Sequence, residues 1–93
     1  MIRISEHLKR RCLGRLSSLV SVAEVEAALS DLIPMDNQTW VKVKDLGERV
    51  RIHDGNNYIT GDIVWVIVRG TCATTVMIRR DGQSCPADRV IGV

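Results

Sequence analysis

The run Ile63–Val68 is the sequence feature that most constrains the fold of this chain. All its residues are apolar, and all but Trp65 are β-branched. A short continuous run of this kind predicts a central β-strand that is covered on both faces. It is also the longest apolar stretch, far short of the roughly 20 residues that cross a bilayer. The sequence therefore predicts a globular fold around this strand and no embedding in a membrane.

Length and composition narrow the class further. The chain has 93 residues, of which 45% are hydrophobic and 26% charged, so we expect a single domain over residues 1–93. The first residues, Met1–His7, lack the apolar block of a signal peptide, which predicts a cytoplasmic protein. The three cysteines are widely spaced and have only two histidines to assist them, so we expect no metal site and no disulfide framework. No glycine-rich phosphate loop is present, and we expect no cofactor.

Two helices are predicted in the N-terminal third. Ser5 is a candidate N-cap, and apolar residues then recur at four-residue spacing, which predicts a helix over residues 5–17. The residues of that stripe are Leu8, Cys12 and Leu16. Ser21 and Glu24 have the spacing of a capping box, which predicts a second helix over residues 21–31.

Beyond Asp36 the spacing changes from helical to alternating, which predicts strands. We expect four of them, at residues 38–45, 48–53, 62–69 and 72–80. Turn residues at 45–47 predict that the first two form a hairpin, and residues 90–93 are a candidate for a short fifth strand. The predicted fold is α+β, with both helices on one face of a four-stranded antiparallel sheet.

The second face of this sheet has nothing predicted to cover it, so it must meet solvent, a ligand or another protein. Alternation places basic and polar residues there: Lys42, Lys44, Arg49, Arg51, His53, Thr75 and Arg79. Arginine is well suited to bidentate phosphate binding, so this face is a candidate phosphodiester site. A solvated face with basic residues that discourage edge pairing is an equally good interpretation.

The net charge is only +2, but basic residues are concentrated near the N-terminus. Residues 1–15 contain five basic side chains and one acidic one, Glu6. His7, Arg10 and Arg11 lie within one turn of the predicted first helix. This segment also points to an anionic partner.

These features resemble the barnase/EndoU/colicin/RelE superfamily of small metal-independent ribonucleases, many of which are toxins. The resemblance covers residues 5–80 and is closest to short phage- and toxin-type members. It is carried by His7 in a basic helix, the Val-Ala-Glu-Val-Glu-Ala-Ala-Leu pattern, and the segments 61–69 and 74–80. It implies a helix histidine, arginines on the sheet and a threonine on the late strand, which match His7, Arg51 or Arg69, Arg79 and Thr75. The chain departs from the pattern because no glutamate lies on the predicted second face.

Metal-independent RNA cleavage needs a base, an acid and cationic groups for the charge that develops on phosphorus. The candidate catalytic residues are His7, Thr75 and Arg79, with His53 as a second acid or base. The candidate phosphate-binding residues are Arg10, Arg11, Arg51 and Arg69.

Two function hypotheses follow. The first is a ribonuclease-like or RNA-binding protein that acts through the basic sheet face. The alternative is a non-enzymatic, phage-type inhibitor or interaction protein that binds a host protein, or forms a homodimer, through that same face.

Overall fold

The chain folds into two helices and five strands in the computed structural model, which describes residues 1–92. In chain order the elements are β1 (Arg3–Ile4), α1 (Glu6–Leu13), α2 (Val22–Leu29), β2 (Met35–Asp54), β3 (Asn57–Gly70), β4 (Cys72–Arg79) and β5 (Arg89–Ile91). No helix in this described part is long and apolar enough to span a bilayer.

The strands form one mixed sheet in the order β1-β4-β3-β2-β5. The inner pairs are antiparallel, whereas β1 runs parallel to β4 and β5 parallel to β2. The α+β class is confirmed, but the expectation of four antiparallel strands is wrong. Strand β1 has only two residues, too few for any periodicity to reveal it. Strand β5 begins one residue before the predicted segment, and Val93, the last residue of that segment, lies outside the described part of the chain.

The predicted hairpin at residues 45–47 is replaced by a bulge within β2. The segment has turn geometry, because Gly47 has a φ of 77° and its N–H donates to the Asp45 carboxylate at 2.8 Å. The chain nevertheless does not reverse there. Asp45 pairs with Ile63 and Val50 pairs with Gly61, so only one residue of β3 faces the four residues 46–49.

The predicted strands 38–45 and 48–53 are therefore two halves of one long strand, and the reversal occurs at Gly55, where φ is 64°. The partner strand begins at Asn57 rather than at residue 62, which places Tyr58 in a strand. The paired segments 50–54 and 57–61 extend past the residues of β3 that pair with β4. We call this two-stranded extension the distal arm.

The helices cover one face of the sheet, here called the helix face. Both predicted caps are present: Ser5 accepts a hydrogen bond from the Leu8 N–H, and Ser21 and Glu24 form the capping box. The helix stripe packs on strand residues to form the main core, which includes Leu8, Cys12, Leu16, Val25, Leu29, Val64, Val66, Val68, Val76 and Ile78. Both helices end before the predicted boundaries, at Leu13 and Leu29, although Leu16 remains buried in the turns that follow α1.

The opposite face, here called the outer face, carries a second buried cluster. It consists of Trp40, Ile63, Trp65 and Ile67, and the half-buried Met77, Cys85 and Ala87 pack against it. Cys85 and Ala87 belong to residues 80–92, which we call the C-terminal segment. The central strand is thus covered on both faces as its sequence predicts, while the expectation that nothing in the chain covers the second face is wrong at the centre of that face.

Candidate nucleic-acid interface

The candidate catalytic residues His7, Thr75 and Arg79 lie on different sides of the sheet. His7 is exposed on α1, whose Leu8 and Cys12 belong to the helix-face core. Thr75 pairs with Ile67, and Arg79 pairs with Ile63. Both partners belong to the outer cluster, and directly paired residues share a face. The sheet therefore separates the helix histidine from the other two residues.

The four candidate phosphate-binding arginines are also dispersed. Arg10 is exposed on α1, and Arg11 donates to the Val76 carbonyl at 2.8 Å and to the Asp54 carboxylate at 3.3 Å. Arg69 donates to the Gln38 side chain at 2.9 Å. Arg51 pairs with Thr60, nine positions before Arg69 on β3, which places the two arginines about 30 Å apart along the strand. One phosphate group cannot contact both.

A bulge in β2 also places one residue, Lys44, on the face opposite to the predicted one. Lys42 pairs with Trp65 and stays on the outer face, as expected. A register shift after Lys42 turns Lys44 to the helix face, where its Nζ lies 2.8 Å from the Glu24 carboxylate. Lys44 is therefore not part of the basic outer face.

The distal arm brings two of the predicted residues together, Arg51 and His53. Arg51 and His53 are both exposed, and their β3 partners are Thr60 and Tyr58. The Arg51 guanidinium carbon lies 4.0 Å from the Tyr58 ring centroid, within cation–π range. The His53 ring meets the same tyrosine edge-on, with centroids 4.9 Å apart. Tyr58 keeps 58% of its surface exposed, so the arm presents an aromatic ring beside two basic side chains.

A cleft of about 460 Å³ opens where the distal arm, the end of β4 and the C-terminal segment meet. Its polar lining residues are Arg49, Tyr58, Thr60, Arg79, Arg80 and Gln83, and no aspartate or glutamate among residues 1–92 lines it. We call it the basic cleft. Its three arginines, with no carboxylate side chain from the described residues to offset them, make it suited to an anion.

Sequence reasoning missed four of these polar lining residues, Tyr58, Thr60, Arg80 and Gln83. Tyr58 and Thr60 are in phase along one strand, but this signal is visible only once the strand is known to begin at residue 57. Arg80 is the last residue of the predicted strand 72–80, but β4 ends at Arg79, so Arg80 lies beyond the strand.

Comparison with protein-family models, with curated proteins and with solved structures finds no match to this chain. The resemblance to the ribonuclease superfamily stays a prediction.

Proposed function

We propose that the protein binds single-stranded RNA through the basic cleft and the outer side of the distal arm. The observation that carries this proposal is the juxtaposition of Arg49, Arg79 and Arg80 with the exposed ring of Tyr58. Proteins that bind single strands combine a cationic groove for the backbone with aromatic side chains on which bases stack. The resemblance to ribonucleases favours RNA over DNA.

The proposal is for binding rather than cleavage. Cleavage without a metal ion needs a base for the 2′-hydroxyl and an acid for the leaving oxygen, both within reach of one phosphate. His53 lies on the outer face of the distal arm, whereas His7 lies on α1, which packs on the helix face. We therefore expect total RNA to stay intact with the purified protein in excess EDTA, as judged on a denaturing gel. Discrete fragments that disappear in a His53→Ala variant would instead assign a ribonuclease to this face.

A protein partner on the outer face is less favoured. That alternative requires an uncovered sheet face, but the C-terminal segment packs over the apolar centre formed by Trp40, Trp65 and Ile67. What remains exposed around the basic cleft is mostly charged or polar, which suits a phosphate backbone better than an apolar interface.

The test is a titration of a labelled single-stranded RNA at several salt concentrations, followed by fluorescence anisotropy. Each phosphate contact on a single strand contributes about −0.7 to the slope of log affinity against log salt, so three arginines predict a slope of about −2. Arg49→Ala should weaken binding and make the slope shallower by about 0.7. Tyr58→Ala should cost about 1–3 kcal/mol of stacking and leave the slope unchanged.

The matched control is Arg10→Ala, which removes an exposed arginine from α1. It should leave the affinity for RNA close to that of the unchanged protein. If Arg10→Ala weakens binding as much as Arg49→Ala, or if the affinity does not depend on salt, the basic cleft is not the RNA site.

A further inference from the structure

A second cleft, of about 300 Å³, lies between the C-terminal segment and the outer face. Its apolar lining consists of Ile63 and Trp65 from β3, Cys85 from the C-terminal segment and Val90 from β5. We call it the apolar cleft. Arg80 and Gln83 line both clefts, but Lys42 lines only the apolar cleft, whereas Arg49 and Tyr58 line only the basic cleft.

Val90 provides most of the apolar surface that a ligand could contact in this cleft, and Ile63 and Trp65 lie beneath it. Ile63 and Trp65 keep only 3% and 5% of their surface exposed, whereas Val90 keeps 38%. Burial raises the pKa of the Cys85 thiol, although the charge of Arg79 acts in the opposite direction. The thiol is thus uncharged near neutral pH and behaves as a small apolar group.

The charged side chains that line the cleft give it a net positive charge. Lys42 and Arg80 line it, and Asp81 is its carboxylate. Within residues 1–92, neither cation has a carboxylate within ion-pair distance, in contrast to Lys44, which pairs with Glu24. Lys42 lies in register with Trp65, so its ammonium group is carried on the same face as the indole that lines the cleft.

We propose that the apolar cleft binds a small, planar, apolar anion, such as an aromatic carboxylate of about a dozen non-hydrogen atoms. The ring system occupies the space between Trp65 and Val90, and the anionic group lies near Lys42. The volume is at the lower end of the range for small-molecule sites, which limits the ligand to one or two fused rings. This site is separate from RNA binding, because it depends on Lys42 and Val90 rather than on Arg49 and Tyr58.

The test uses 2-naphthalenesulfonate as the probe, with uncharged 2-naphthalenemethanol as its partner, in NMR titrations of the ¹⁵N-labelled protein. We expect saturable shifts that centre on Lys42, the Trp65 indole N–H and Val90, with a Kd on the order of 1 mM for the anion. Lys42→Ala should raise the Kd of the anion about threefold to tenfold and leave the Kd of the uncharged compound unchanged. Val90→Trp should block both compounds by filling the cleft.

Arg49→Ala is the matched control, since it removes an arginine that lines only the basic cleft. It should leave the affinity for the anion unchanged. The proposal is overturned if the shifts do not saturate, if they centre elsewhere, if Val90→Trp still binds, or if Arg49→Ala weakens the anion as much as Lys42→Ala does. Because RNA binding depends on Arg49 and Tyr58, either proposal can fail without the other.

Discussion

At the residue scale, Arg79 connects the sheet to the C-terminal segment. Its guanidinium carbon lies 4.9 Å from the Trp40 ring centroid, and one terminal nitrogen donates to the Ser84 carbonyl at 3.1 Å. Strand alternation places Arg79 on the correct face, but the sequence does not reveal that an aromatic ring from a distant strand lies beside it. Arg79 therefore contributes to stability as well as to the charge of the basic cleft.

We expect Arg79→Ala to lower the free energy of unfolding by about 1–2 kcal/mol, because it removes a cation–π contact and a hydrogen bond. Urea unfolding followed by tryptophan fluorescence measures this change. Arg10→Ala, on the surface of α1, should change the same quantity by less than about 0.5 kcal/mol. Equal stability of the two variants would mean that Arg79 does not hold the C-terminal segment in place.

At the element scale, the distal arm owes its position to a close approach of two backbones. A Cβ atom on Gly61 would lie 2.7 Å from the Arg79 nitrogen and 2.8 Å from its carbonyl carbon and oxygen. Contacts this short with main-chain atoms cannot be relieved by a side-chain rotation. Glycine at this point lets β3 pass close to the end of β4, next to the basic cleft.

Gly61→Ala should therefore destabilise the protein by about 1–3 kcal/mol, the usual range for overpacking at a tight site. Thermal unfolding followed by circular dichroism measures the loss. The neighbouring variant Thr60→Ala alters an exposed side chain in the same strand and should cost much less. A Gly61→Ala protein as stable as Thr60→Ala would show that the two strands can separate without penalty.

At the scale of the whole molecule, ion pairs connect both helices and the turn after α1 to β2. Arg11 and Arg15 both contact the Asp54 carboxylate, and Lys44 contacts Glu24. Burial by itself raises the pKa of Asp54, but the hydrogen bond from Arg15 and the charge of Arg11 hold this pKa below its usual range. The hydrogen bonds from Lys44 and from the Ser21 N–H lower the pKa of Glu24.

Because both carboxylates have a lower pKa in the folded state than in the unfolded chain, their stabilising effect is complete above their unfolded pKa, about 4. It is lost as the pH falls through the folded pKa values. We expect the urea midpoint to change little from pH 7 to pH 5 and to fall below pH 4. The double variant Asp54→Asn/Glu24→Gln should be less stable at pH 7, and its urea midpoint should fall less below pH 4.

Glu26→Gln is the control for this pH dependence, since Glu26 is exposed on α2 and has no ion pair within residues 1–92. Its urea midpoint should fall below pH 4 by as much as that of the unchanged protein. If the urea midpoint of the double variant falls below pH 4 as much as that of this control, the two carboxylates do not link folding to pH.

The sequence alone determined the features that depend on near neighbours. The β-branched run Ile63–Val68 predicted the central strand, Ser5 and Ser21 predicted the helix starts, and alternation placed Arg51 and Arg79 on the outer face. These follow from local backbone preferences and side-chain period, which act over a few residues.

Which distant segments meet depends on long-range packing and strand pairing. The turn residues at 45–47 bend the backbone wherever they occur, but pairing of Val50 with Gly61 makes them a bulge rather than a reversal. The C-terminal segment covers the outer face because Cys85 and Ala87 bury apolar surface there, a contact that no local pattern encodes. Hydrophobic burial stabilises a contact regardless of the separation of its residues along the chain. The placement of His7 and Thr75 on opposite faces and the approach of Arg80 to Arg49 in the basic cleft have this same origin.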